Sequence, residues 1–253
     1  REFTSSGQPF YLYSSFFKPH APHTIQPPFD SMYNGVDIPL PTPTSLKQIE
    51  ALPKPLQALI LRGKPEYGID RTQLEWFYRS YYGGVSMVDR EIGLILNQLE
   101  SSGAARNTIV VFSTDHGDQL LEHGLQGKNL FFEASVHIPL LIKYPGQARP
   151  AKYTELVETV DLLPTLLEYA GIPAPGNGQG RSLAPLIGGR AYTPREAVFS
   201  ENIIPEVITG GNLDMFYAPG KGVGGILHPD AKMVRTQRWK LNFYPGNGGE
   251  LYD

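Results

Sequence analysis

The chain opens on a dense apolar run. Pro9–Phe17, PFYLYSSFF, is rich in aromatics and predicts a buried strand. Pro19, Pro22, Pro27 and Pro28 then forbid regular structure, so KPHAPHTIQPPF is a fixed loop at that strand's C-terminal end. From Tyr33 to about Gly68, Pro and polar residues predominate, with one short apolar stretch at Leu56–Leu61; the expectation is an irregular excursion. Helical spacing follows: Tyr81, Val85, Val88, Ile92, Ile95 and Leu99 recur by alternating fours and threes, which places them on one face. Gly103 suits the stop of that helix.

NTIVVFSTD reads as a central, buried parallel strand, with Asp115 just past its C-terminal end. VHIPLLIKYPG is a further strand. ETVDLLPTLLEYAGIP predicts a short helix that Asp161 caps, Pro164 enters and Gly171 ends. Beyond about Arg190 the texture changes. EAVFSEN, AKMVRTQ and RWKLNFYPG are short strands of a small antiparallel sheet, interrupted by a Gly-rich stretch at 210–225. The fold class is therefore α/β: a mixed, mostly parallel sheet between helices over residues 1–190, and an antiparallel subdomain over 191–253.

Composition narrows the function. The hydrophobic fraction of 41% and charged fraction of 19% are those of a globular protein. No run approaches the ~20 unbroken apolar residues of a membrane span. A net charge of −3 without a basic stretch argues against a nucleic-acid surface. With no Cys, disulfides and thiolate chemistry are excluded. Arg1 opens the chain without Met or a signal sequence, a strand is expected almost at once, and the chain stops at GELYD where a returning strand should run. Both ends read as cuts in something longer.

Candidate chemistry lies where ligands bind open α/β sheets, outside the carboxyl ends of the strands. Asp115 and His116 can face a divalent cation there, with Gly117 allowing a sharp turn. A polar turn with a capping Asp is the plainer alternative. Lys128 could stabilise charge on an anionic oxygen, or sit solvated on the surface. His20, held between prolines, could donate to an anion or pass a proton. His23 is similar but further out. His123 is either a substrate contact or a turn histidine, and His137 has a structural role at a strand start. Asp118 is expected to point to solvent, and His228 carries no role.

Order and spacing make these signals specific. PFYLYSSFFKPHAPH, the stretch from YYGGVSMVDR to VFSTDHGD, EHGLQGKNLFFEASVHIPLLIKYPG, VDLLPTLLEYAGIP, KMVRTQRWKLNFY and ELYD resemble, in order, segments of the sulfatase family of the alkaline phosphatase superfamily. The resemblance implies that Asp115 and His116 are calcium ligands and that Lys128 grips the sulfate and its bridging oxygen. It implies that His20 contacts the sulfate and is a candidate acid for the leaving alcohol. His137 stands where many relatives carry Arg, so it inherits no role. Family habit favours the periplasm, secretion or the lysosome.

The family's nucleophile is a Cys or Ser in Cys/Ser-x-Pro-x-Arg, oxidised to formylglycine, and its first calcium ligands are an adjacent Asp pair. The 253 residues contain none of these. The resemblance thus implies an N-terminally truncated fragment with half an active site, inactive alone, whose partner is the missing segment and whose substrate is a sulfate ester of a small molecule or glycan. Two alternatives stay open: a phosphonate or phosphodiester hydrolase of the same superfamily, and a non-catalytic binding protein on this fold.

Overall fold

The computed structural model describes residues 8–203 and 230–253, except 43, 55, 58–59, 61–70, 129–130 and 148. The chain divides into two compact units, one of Arg1–Ser45, Gly63–Lys128 and Glu133–Pro150, the other of Leu46–Arg62, Asn129–Phe132 and Ala151–Asp253.

The first unit is organised by one long helix, Arg71–Ser101. Its buried positions, Phe77, Tyr78, Ser80, Gly83 and Gly84, lie in its N-terminal half. Phe77 and Tyr78 pack with Ile38 and Leu120 into a core flanked by Tyr33, Leu40, Leu74, Tyr81 and Tyr82. The expected apolar row is only partly covered: Val85 and Ile95 are exposed. Among the described residues the covered stretch is the N-terminal half, where Gly83 and Gly84 meet Phe29 and Pro19 of the loop.

Beyond the 3-10 turn Ala104–Asn107, strand β1 (Val110–Ser113) pairs with β4 (Leu140–Lys143), with Ser113 opposite Leu140 and Phe112 opposite Leu141. This ladder is antiparallel, which corrects the parallel reading of NTIVVFSTD. The intervening chain turns back at the C-terminal end of β1, and among its described residues no α-helix is longer than Glu133–Val136. Phe112 and Leu141 are also exposed rather than buried. Between them lies a small hairpin, β2 (Gln119–Leu120) and β3 (Gln126–Gly127).

Pro9–Phe17 forms no strand, contrary to expectation, and Tyr11, Leu12, Tyr13 and Phe17 are exposed. An extended apolar segment becomes a strand only where a neighbouring ladder takes its N–H and C=O groups. Among the described residues none does. Among its described residues the Pro-rich excursion holds turns, the short helix Leu46–Glu50 and further helical residues at 54, 56–57 and 60.

In the second unit, the 3-10 turn Thr159–Asp161 leads into the helix Leu162–Tyr169, which Gly171 ends at φ 68°. Asp161 does not cap this helix through its side chain, as the sequence suggested. Its carboxylate is fully buried and takes bonds from Glu158 N (2.9 Å), Arg181 N (2.7 Å) and Arg195 (2.5 Å). A meander follows: β5 (Val198–Ile203), β6 (Asp230–Arg235), β7 (Lys240–Tyr244) and β8 (Gly248–Tyr252), all antiparallel in that order. The last of these is the returning strand that GELYD called for. The Gly-rich 210–225 stretch and His228 lie outside the described residues.

Candidate active site

Two segments of the first unit are forced into place by glycines. A Cβ on Gly83 would come within 2.4 Å of the Phe29 carbonyl, and one on Gly84 within 3.3 Å of Pro19. The Gly-Gly pair is therefore a notch in the long helix that receives the Pro-rich loop, and this seating aims His20 and His23. Three X-Pro bonds of the loop, before Pro19, Pro22 and Pro28, are cis. At the end of β1, a Cβ on Gly117 would lie 1.9 Å from the Ala134 carbonyl. Only glycine fits there, and its N–H bonds Ser135 O at 2.8 Å.

Hydrogen bonds fix the tautomers. His20 Nδ1 lies 2.7 Å from the Ala21 carbonyl, which can only accept, so Nδ1 carries the proton. His20 Nε2 then offers its lone pair to Lys128 Nζ at 2.8 Å, across 108 positions of sequence. The same logic applies to His116, whose Nδ1 donates to Gly117 O at 2.7 Å. Its Nε2 lies 3.5 Å from Asp115 Oδ2.

Asp115 Oδ1 is held by the His116 N–H (3.1 Å) and the Thr114 hydroxyl (3.3 Å). Burial works against its charge, but His116 and these hydrogen bonds outweigh it and leave the pKa below the usual carboxylate value. A histidine that donates one ring N–H to a carbonyl and presents the other nitrogen beside a carboxylate has the form of a metal-binding pair. Among the described residues no third Cys, His, Asp or Glu is gathered with them. The pair thus fits two positions of a cation's shell.

Asp118 corrects the sequence reading. It does not point to solvent: it is half-buried and in electrostatic range of His23, His116, His20 and Lys128. Burial pushes its pKa up, against the pull of those four groups. The missed signal is register. With Gln119 opposite Gly127 and Leu120 opposite Gln126, the next opposed positions are Asp118 and Lys128.

His23 is packed edge-on against Phe77 (4.8 Å between centroids) and lies 6.0 Å from Tyr81. Burial lowers its pKa, with Asp118 opposing. Tyr81, half-buried and near Asp118, is pushed up to about 12. At the hairpin tip, Glu122 takes bonds from Leu120 N (2.6 Å) and Tyr78 OH (3.1 Å). Burial, then Glu122, raises the Tyr78 pKa. The tip holds Leu121 and His123 at φ 75° and 59°, conformations that non-glycine residues rarely adopt. His123 is exposed there. His137 is exposed too, 3.6 Å from Glu133.

The α/β fold with its antiparallel C-terminal sheet is that of the alkaline phosphatase-like class. The sulfatase family model matches residues 2–172, and the chain belongs to the sulfatase family. It is 32% identical over 194 residues, 72% of its length, to a multifunctional alkaline phosphatase superfamily protein of Trinickia caryophylli. It is 32% identical over 209 residues, 79% of its length, to an arylsulfatase of Clostridium perfringens. Among solved structures, a phosphonate monoester hydrolase of Agrobacterium radiobacter covers 100% of the chain at a TM-score of 0.79 and 26% identity. The chain spans 38% and 42% of those two curated relatives and 52% of that solved chain.

Proposed function

We propose that this chain carries the anion-gripping half of a sulfuric ester hydrolase site. The supporting observation is the 2.8 Å Lys128–His20 contact, built from distant segments in a chain of the sulfatase family. Lys128 offers its ammonium to an anionic oxygen of the ester and to charge developing on the bridging oxygen. His20, once an anion takes that ammonium, picks up a proton at Nε2 from solvent and can hand it to the leaving alcohol, returning to the neutral Nδ1–H form. Asp115 Oδ2 and His116 Nε2 would hold two positions of a calcium shell. The bound ion supplies positive charge beside the ester oxygens. Calcium takes ~6–8 ligands, so others complete it. His123, on its exposed hairpin tip, serves as a substrate contact.

The 253 residues hold no Cys, no Ser-x-Pro-x-Arg and no adjacent Asp pair. In this reading a formylglycine nucleophile and the remaining calcium ligands come from further polypeptide. The substrate is a sulfate ester of a small molecule or glycan, and the compartment is periplasmic, secreted or lysosomal. No described helix is long and apolar enough to cross a membrane. A second reading, ester hydrolysis at phosphorus, draws on the likeness to the phosphonate monoester hydrolase.

The test is turnover of an aryl sulfate and an aryl phosphonate monoester, side by side. This chain alone is expected to hydrolyse neither above buffer. A protein that joins it to a nucleophile-bearing segment is expected to favour the sulfate. Steady hydrolysis by the chain alone would overturn the placement of the nucleophile, and preference for the phosphonate would decide for the second reading.

A further inference from the structure

Asp118 is an unexpected residue for an anion site. It is a half-buried carboxylate set opposite Lys128 at the open end of the β2–β3 hairpin, one register step beyond the Gln119–Gly127 pair. Lys128 in turn touches His20 at 2.8 Å, and His20 in this tautomer carries no net charge. Lys128 brings an ammonium to that contact, and Asp118, in electrostatic range of both Lys128 and His20, brings a carboxylate. No role in binding the cation is needed to place it: Asp118 does not gather with Asp115 and His116 as a third metal donor.

Charge arithmetic gives this arrangement a consequence. Against Lys128 alone, a doubly charged anion gains about twice the Coulombic attraction of a singly charged one of the same shape. A carboxylate facing the same space repels the dianion about twice as strongly and cancels that advantage. We infer that Asp118 is a specificity-determining residue that selects singly charged tetrahedral esters, sulfate monoesters and phosphonate monoesters alike, against doubly charged phosphate monoesters. The inference rests on the reading of Lys128 and His20 as the anion grip. It explains what both candidate substrate classes share, a single negative charge.

The probes are phenyl sulfate and phenyl phosphate, nearly identical in shape, at about pH 8, where the phosphate ester carries close to two charges and the sulfate one. Their dissociation constants are measured by calorimetry for this chain and for the Asp118→Asn, Asp118→Ser, Asp118→Glu and Lys128→Ala variants, in one calcium-containing buffer. Removing the charge by Asn or Ser is expected to tighten phenyl phosphate by on the order of tenfold and phenyl sulfate by less than about threefold. Asp118→Glu is expected to keep the original ratio, which a merely structural role would not restore. An unchanged ratio in both Asn and Ser variants, with binding still dependent on Lys128, would overturn the role of Asp118 alone. Binding of both esters that ignores Lys128→Ala, or is missing from the unaltered chain, would overturn the grip itself and this inference with it.

Discussion

His23 shows how far a single residue can be read. The sequence offered a second loop histidine beside His20 and set it one step further out, without showing what it packs against. The structure separates them by their neighbours: His20 meets Lys128, whereas His23 packs on Phe77 and Tyr81. Burial lowers the His23 pKa below its ordinary value of 6.5, so the folded chain holds it uncharged. Below that value the unfolded chain binds the proton more readily, and stability falls as pH drops through 6.5 toward the folded-state pKa. Urea midpoints measured on both sides of that window are expected to fall on the acid side, and His23→Phe is expected to flatten the drop. An equal drop in the variant would show that His23 does not cause it. Asp118 was misjudged for a related reason. A polar residue two positions after a candidate ligand looks solvated until strand register sets it opposite Lys128.

At the scale of elements, periodicity found the long helix, the two central strands and the C-terminal meander. It failed for Pro9–Phe17, because apolar content marks a wish for burial and not the presence of a ladder. It also failed for the direction of β1 and β4. An apolar run of four residues is the same in parallel and antiparallel pairs, and only the path of the chain between Ser113 and Leu140 decides. Asp161 was read as a helix cap and is instead a junction. Its buried carboxylate and Glu158 hold Arg195, while Glu158 Oε1 takes the Phe199 N–H at 2.7 Å, so the turn at 159–161, the segment at 181 and β5 share one network. Asp161→Ala leaves the Arg195 guanidinium, only 9% exposed, with Glu158 and the more distant Gln179 carbonyl, and strips the acceptor from two backbone N–H groups. We expect a loss of about 3–5 kcal/mol in chemical unfolding. Adding Arg195→Met should recover part of it; strictly additive losses would contradict the coupling.

For the molecule as a whole, the family was legible because its marks are spread along the chain in order: the Pro-flanked His20, the Asp-His-Gly at 115–117 and Lys128. The mutual placement of those marks was not legible, since it depends on a loop seated on Gly83 and Gly84 and on a hairpin register. The account therefore stands on the Lys128–His20 pair acting together on an anion. Its most direct test is a nitrogen-15 NMR titration of the histidine side chains with phenyl sulfate, in this chain and in Lys128→Ala. In the free chain His20 Nε2 should report as a hydrogen-bond acceptor, and it should shift to the donor form, saturably, as the ester binds. That shift should be lost in the variant. An Nε2 signal that stays put while the ester binds would contradict the account.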